Sequence, residues 1–235
     1  MERYYKYKRW PEDNPDKPEN EVEVERERVL DIILNKRMRL SILEKLNDPF
    51  EGNLLAVDNL SKVSEELETK AFYEALVGLD DEWRESIARF KVLCLSKEPD
   101  IPLMWSHYAD SHRGLCIAIT LNSHTTDPIR YLDTTKDIND YIGEPPDCKK
   151  ALLAKYKYWE YEEEYRVICD SDWKDDYVPI ESVELILGWR MKQKERKFWY
   201  KLAQDRGLQV SRAIVTGNPR IDRTKSEAII LAGDQ

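Results

Sequence analysis

The sequence lacks the features of several protein classes. None of its apolar runs approaches the eighteen or so residues of a membrane-spanning helix, and MERYYKYKRW at its start has no apolar core of a signal peptide. Gly (8) and Pro (11) are few and 41% of the residues are hydrophobic, which excludes fibrous and wholly disordered proteins. We therefore expect a cytoplasmic protein, folded as one domain over residues 1–235, with no membrane partner.

Cysteine and histidine are sparse and spaced unlike a disulfide framework or a metal centre. No CxxC pair occurs, and the four cysteines lie more than twenty positions apart, at Cys94, Cys116, Cys148 and Cys169. The three histidines, His107, His112 and His124, share one region but not a metal-ligand spacing. Because zinc ligands usually come as close pairs, we expect four free thiols and no metal.

The net charge of −9 is unevenly distributed along the chain. Residues 188–225 hold eleven Lys and Arg against three acids, a local +8, which leaves −17 for the remainder. On an ideal helix, four of these cations lie along one stripe, with Phe198, Trp199 and Leu202 on the buried side: Arg190, Lys194, Lys197 and Lys201. Either this stripe binds nucleic acid or a phosphorylated partner, or it packs beside the acidic body.

Hydrophobic patterning predicts an α+β fold, with a split or mixed, mostly antiparallel sheet and peripheral helices. Strands are expected at 3–9, 36–41, 92–96, 114–121, 164–170, 183–189, 208–216 and 227–231. Helices are expected at 25–35, at 59–90, on both sides of Gly143 within 134–157, and at 192–207 with Gly207 as the cap; residues 102–113 are expected to form one short helix and a turn. The acidic, proline-rich residues 11–24 are expected to form a mobile excursion, although EVEV at 21–24 would also fit a strand.

Two segments gather polar residues at turns. In NDPFE (47–51), Asn47 and Asp48 precede a proline and either hold a hydroxylated ligand or satisfy the turn itself. In MWSHYADSHRG (104–114), His107 and Tyr108 either act as donors or a base in a site, or are packing residues with one hydrogen bond each.

A third segment, 155–168, contains two carboxylates and a guanidinium. If it is extended, Glu162, Glu164 and Arg166 share one face, because strand side chains alternate with a period of two. Arg166 then holds Glu164 as a bidentate partner, and repulsion between the carboxylates raises the pKa of one of them. A solvated charged strand would carry the same pattern.

Together these segments resemble a known family. Lys6-Tyr7, NDPFE, the run from CLS at 94–96 through LMWSHYADSHRGLCI, W-x-YEEEYR at 159–166 and VELILGW at 183–189 are similar to a bacterial family. It is the domain-of-unknown-function family numbered twenty-nine seventy-one. The resemblance implies the outline of the fold and a setting near prokaryotic defence and mobile-element genes.

The Glu-x-Glu block is also similar to that of ADP-ribosyltransferases, which carry it at the head of a late strand. This resemblance implies that Glu164 is the catalytic carboxylate and that Glu162 orients the acceptor, with NAD as the substrate. The implied binding residues are Lys6, Tyr7, Asn47, Asp48, His107, Tyr108 and Arg166. The resemblance implies an ADP-ribosyltransferase that acts on a macromolecule as a defence or toxin effector. The charge distribution offers an alternative, a non-catalytic module that binds nucleic acid or a phosphorylated partner through 188–225. A nuclease is disfavoured, because Arg follows the acids where Lys is expected.

Overall fold

The computed structural model describes residues 2–11, 19–48, 51, 81–121, 124–143, 145–215 and 221–222, and β-strands dominate them. The strands are β1 (Arg3–Lys8), β2 (Arg37–Arg39), β3 (Ser41–Ile42), β4 (Lys91–Ser96), β5 (Leu115–Thr120), β6 (Asp127–Pro128), β7 (Arg130–Leu132), β8 (Ala154–Tyr156), β9 (Glu164–Cys169), β10 (Tyr177–Pro179), β11 (Val183–Leu187), β12 (Gln209–Arg212), β13 (Ile214–Val215) and β14 (Ile221–Asp222). The helices are α1 (Glu19–Asn35), α2 (81–88), α3 (Pro102–Tyr108), α4 (Thr135–Ile142), α5 (Cys148–Ala151) and α6 (Gln193–Arg206). Short 3₁₀ helices span Leu43–Lys45 and Lys157–Glu162.

Eight of the described strands form one mixed sheet. Its order is β12-β11-β5-β1-β4-β9-β6, with β3 beside β4 off this path. Strands β11 and β12 run parallel, and the other neighbours are antiparallel. The smaller pairs are β10 with β2, β13 with β14 and β7 with β8. The predicted α+β class, with a mixed and mostly antiparallel sheet, is confirmed.

Alternating side chains give this sheet two buried faces. On one face, Tyr4 of β1 and its neighbours pack against Val29 of α1 and Trp199 of α6. On the opposite face, Tyr5 and Tyr7 pack against α3, while a separate apolar cluster of α2, α4, α5 and β4 lies further along the sheet. Among the described helices, none is both long and apolar enough to cross a membrane.

Strands β1 and β4 separate soon after they meet. Strand β1 pairs with β5 at every residue, but its register with β4 holds only at Tyr5 and Ser96. Further along β4, Val92 pairs with Ser41 of β3. The ammonium of Lys6 donates to the Cys94 carbonyl at 2.6 Å, across the opening. The sheet is therefore split beside its first strand.

Several predicted boundaries are wrong. Helix α1 begins at Glu19, so residues 19–24 belong neither to a mobile excursion nor to a strand. Its apolar residues Val22, Val29 and Ile33 recur at helical spacing and are buried, and this repeat extends the helix toward its N-terminus. Residues 154–156 form β8 instead of continuing a helix. The expected elements over 12–18, 59–80 and 227–231 lie outside the described residues.

Candidate active site

Five charged side chains are buried together next to the split in the sheet. They expose between 1% and 7% of their surface, and they are Glu51, Lys155, Glu162, Glu164 and Arg166. Burying a charge costs several kcal/mol unless partners replace its water. Stable burial of the five therefore requires that they pair with one another.

Lys155 lies at the centre of this charged cluster. Its Nζ is 2.7 Å from Glu162 Oε2, 2.7 Å from Glu164 Oε2 and 3.2 Å from Glu51 Oε1. An ammonium has three donors, so three carboxylates can satisfy it fully. Because Lys155 is bound to both Glu162 and Glu164, it fixes the spacing between these two carboxylates. No motif in the sequence points to this residue.

Arg166 binds the cluster from the other side. Its Nε donates to Glu164 Oε1 at 2.7 Å and its Nη2 to Glu164 Oε2 at 3.2 Å, so the predicted bidentate pair is present. The Nη1 group donates to the Leu152 carbonyl at 2.7 Å, and Nη2 also donates to Glu51. The guanidinium is thereby held by a carbonyl as well as by carboxylates, which leaves Glu164 with little freedom to move.

A chain of hydrogen bonds leads from the surface to Glu162. The exposed Asn47 donates through Nδ2 to the Tyr108 hydroxyl. The half-buried Tyr108 in turn donates to Glu162 Oε1 at 2.5 Å. The two oxygens of Glu162 thus face different partners, Tyr108 and Lys155. Tyr108 of the WSHY segment therefore links Glu162 to Asn47 of the NDPFE segment.

A turn at Glu163 explains how Glu162 and Glu164 point to the same side. The expectation of an extended segment is wrong, because 157–162 is a 3₁₀ helix that ends in a left-handed Glu163 with φ 43°. Tertiary contacts hold this turn: the Ser96 hydroxyl donates to the Glu162 carbonyl at 2.8 Å, and the Glu164 amide donates to the Tyr131 hydroxyl at 2.8 Å. Glu163 itself is exposed.

The pKa values in the cluster move in opposite directions. Burial alone would raise the pKa of Glu164, but Arg166 and Lys155 outweigh it and hold this pKa well below its usual range. The rise in pKa that the sequence predicts for one of the two carboxylates therefore does not occur at Glu164, where the two cations outweigh it. Burial raises the pKa of Glu51, and its Oε2 has no hydrogen-bond partner among the described residues.

Two cavities open at the split. The smaller, of about 290 Å³, is lined by Glu162, Glu164, Lys155, Tyr108 and Asn47 together with residues of β1. The larger, of about 650 Å³, lies between α1, β2, β3 and β4. Four residues line both cavities, namely Lys6, Lys8, Ser41 and Lys45. The carboxylates therefore face a cleft whose other wall is basic.

The fold and this geometry can be set beside known proteins. Comparison with protein-family models, with curated proteins and with solved structures finds no match. The two family resemblances drawn from the sequence therefore remain expectations.

Three other predicted site residues are buried or lie away from the carboxylates: Tyr7, Asp48 and His107. Tyr7 touches the smaller cavity but is 4% exposed, and its hydroxyl donates to the Glu98 carbonyl at 2.7 Å. Asp48 is buried and does not line either cavity. His107 is exposed with its ring 6.4 Å from that of Tyr108, and it lies outside both linings. His107 is therefore not brought to the carboxylates.

The basic segment lies on a different part of the molecule. Its predicted stripe is exposed, but Arg190 precedes the helix, which begins at Gln193. Trp199 is fully buried as expected. Phe198 is 42% exposed, although one side of its ring stacks on Trp10 at the edge of the core, with ring centroids 5.5 Å apart. An exposed aromatic ring thus accompanies the exposed lysines.

No metal centre is found in the part of the chain that the structure describes. Within those residues, no three His, Cys, Asp or Glu side chains form a group that could hold an ion. All four cysteines are free thiols, and burial raises the pKa of the Cys94 thiol to about 12.

Proposed function

We propose that the protein cleaves the nicotinamide–ribose bond of NAD and transfers ADP-ribose to a macromolecular acceptor. The observation that supports this best is the cleft itself. Two buried carboxylates, Glu162 and Glu164, line one wall, and the lysines at positions 6, 8 and 45 line the other. NAD has the matching charge pattern, with a dianionic diphosphate next to a ribose that becomes positive when its glycosidic bond breaks.

The chemistry assigns Glu164 to the ribose. As the C1′–N bond breaks, nicotinamide leaves with the bonding electron pair and positive charge develops on the ribose ring. A carboxylate that is already fixed stabilises this charge without reorganising, so it lowers the barrier more than it strengthens NAD binding. Arg166 and Lys155 hold Glu164 in place and keep its pKa low, so it stays an acceptor at neutral pH.

Glu162 is assigned to the acceptor. The attacking group bonds to C1′ and loses a proton, and a carboxylate oxygen beside it can orient the nucleophile and accept that proton. Tyr108 and Lys155 bind the two oxygens of Glu162 from opposite sides and fix its rotamer. Removal of Glu162 should therefore affect transfer more than hydrolysis by water.

The test measures two quantities: nicotinamide release from NAD in buffer, which reports hydrolysis, and incorporation of labelled ADP-ribose into a cell extract, which reports transfer. We expect Glu164→Gln to lower release by about 10²–10³-fold with NAD affinity nearly unchanged, the loss seen when one preorganised electrostatic group is removed. Glu162→Gln should retain hydrolysis and lose transfer. The exposed Glu163 lies between the two and provides the matched control, because Glu163→Gln removes a charge from the same turn without touching the cleft.

Three results would overturn the proposal. The wild type fails to bind NAD, or Glu164→Gln releases nicotinamide as fast as Glu163→Gln, or Glu162→Gln loses hydrolysis and transfer equally. Thermal melts of the three variants are compared first, because Glu164 is paired to two buried cations and its amide variant has to be shown folded.

A second candidate is nucleic-acid binding through α6. It is favoured by the exposed Lys197 and Lys201 beside the exposed ring of Phe198, on which a base can stack. A gel-shift titration should show affinity falling with salt at a log–log slope of roughly −0.9 for each duplex phosphate contacted. The double variant Lys197→Ala/Lys201→Ala should weaken binding, and the exposed Lys174→Ala serves as control. Absence of binding at low salt would remove this candidate.

A further inference from the structure

The two cavities at the split share a set of basic lining residues, which we term the passage. Lys6, Lys8, Ser41 and Lys45 line both of them, and three of these four residues are lysines. Lys6 and Lys8 alternate along β1 with Tyr5 and Tyr7, which face α3, so the two lysines lie on the α1 face of the sheet. Glu164 lies on the opposite face of β9. The passage therefore lies between the cavity that the carboxylates line and the cavity beside α1.

The cations of this passage have few acidic partners. Lys6 donates to a carbonyl, and among the described residues neither Lys8 nor Lys45 has a carboxylate partner. The larger cavity is lined by six Lys or Arg and three acids. Two of those acids are already bound, Asp31 to Arg37 at 2.9 Å and Asp176 to Lys91 at 2.6 Å. A surplus of positive charge thus remains at the passage.

The surplus of positive charge affects the pKa of Lys8. It is half-buried, and burial together with the charges of Lys6 and Arg28 lowers its pKa to about 7. Clustered amines without acids repel one another, and a bound anion relieves that repulsion. A surplus of positive charge at the border of a cavity therefore favours a role in binding an anion.

Beyond the passage the cavity becomes larger and partly apolar. Ile32, Met38, Leu40 and Leu93 contribute to its lining, and its volume of about 650 Å³ exceeds what a phosphate group needs. Ligand pockets of this size typically combine apolar walls with a few placed polar groups. A nucleoside fits that description, with its phosphates directed toward the lysines.

We infer that Lys6, Lys8 and Lys45 bind the diphosphate of a nucleotide whose nucleoside occupies the cavity between α1 and the sheet. This inference deepens the proposed function, because it sets the direction of NAD: the nicotinamide end beside Glu164 and the adenosine end beside α1. It does not require catalysis, since a nucleoside diphosphate alone should bind in the same way.

The experiment measures binding of ADP, adenosine and pyrophosphate to the full chain by calorimetry. ADP should bind more tightly than either fragment. Lys8→Met should weaken ADP binding by about 10–100-fold, since a charge-assisted hydrogen bond contributes roughly 1.5–3 kcal/mol and 1.4 kcal/mol corresponds to tenfold. Lys91→Met is the matched control, because Lys91 lines the same cavity but is paired with Asp176. A thermal melt checks that both variants are folded.

A second readout follows the amine itself. When the lysines are labelled by reductive ¹³C-methylation, the Lys8 resonance should titrate at higher pH with ADP bound than without it, because the anion favours the charged amine. Equal ADP affinity in Lys8→Met and Lys91→Met would overturn the inference. Pyrophosphate binding as tightly as ADP would refute the nucleoside cavity.

The outcomes also separate this inference from the transferase proposal. If ADP binds through Lys8 but NAD is not cleaved, the nucleotide site is supported and the transferase is wrong. If NAD is cleaved in a Glu164-dependent way while ADP neither binds nor competes, the transferase is supported and the nucleotide site is wrong.

Discussion

Lys155→Met would remove an ammonium that three buried carboxylates share. Lys155 exposes 2% of its side chain and lies within 3.2 Å of Glu51, Glu162 and Glu164. Methionine has a similar length and leaves little cavity, so the change isolates the charge. With all five groups of the cluster ionised, the substitution takes their net charge from −1 to −2.

The expected cost follows from the burial of the partners. Removing one member of a buried ion pair usually costs about 3–5 kcal/mol, because the remaining charge is left without compensation. For a chain of this size, about 2–4 °C of melting temperature is lost per kcal/mol, so the midpoint should fall by roughly 6–20 °C. The unpaired carboxyls should then take up protons more readily. The loss of unfolding free energy relative to wild type should therefore be smaller at pH 5 than at pH 7.

Lys157→Met provides the matched control. Lys157 lies two positions further along and pairs with Asp133 at 3.5 Å, but the two side chains are 55% and 70% exposed. Exposed pairs contribute about 0–1 kcal/mol, so this variant should unfold almost as the wild type does. Urea unfolding followed by tryptophan fluorescence at pH 7 and pH 5 measures both variants. Equal stability of Lys155→Met and Lys157→Met would refute the argument that the cluster is buried and ionised.

Three further predictions concern single groups. Glu51→Gln should cost less unfolding free energy than Glu164→Gln in urea titrations, because the pKa of Glu51 is raised by burial whereas Arg166 and Lys155 hold that of Glu164 down. Stability should rise between about pH 7 and pH 10.5, since the unfolded chain keeps the Lys8 proton there while the folded chain loses it, and Lys8→Met should flatten this rise. Glu163→Gly should raise the melting temperature slightly, because φ 43° costs a residue with a Cβ about 1 kcal/mol that glycine avoids; a lower melting temperature would contradict this.

The sheet and α6 could be predicted because local signals agree with tertiary structure there. The runs 92–96 and 114–121 are apolar, short and bounded by polar residues, and both form central strands. Gly207 adopts the left-handed conformation that ends α6. The segment 157–162 carries no such signal. Its conformation depends on the Ser96 hydroxyl, which donates to the Glu162 carbonyl, and on the Tyr131 hydroxyl, which accepts from the Glu164 amide; sequence spacing cannot show either bond.

The candidate site was predictable only in part for the same reason. Glu162 and Glu164 stand out as a repeated acid, whereas Lys155 belongs to a Lys-Tyr-Lys-Tyr run in which Lys157 looks equivalent. The end of β8 at Tyr156 distinguishes them, because Lys155 lies in the strand and is buried, whereas Lys157 begins the 3₁₀ helix and is exposed. The sequence likewise gives no sign that Glu51, the last residue of NDPFE, belongs to the buried cluster.

Stability alone does not explain why this charged cluster exists. Apolar residues of similar volume often replace a buried ion network without loss, and sometimes with a gain. The arrangement becomes intelligible if an ionised carboxylate is needed inside the cleft. Two cations keep the pKa of Glu164 low, while the group whose pKa burial raises, Glu51, does not line the cleft. A proton taken up by the cluster would therefore go to Glu51 first, and Glu164 would keep the charge that the proposed chemistry requires.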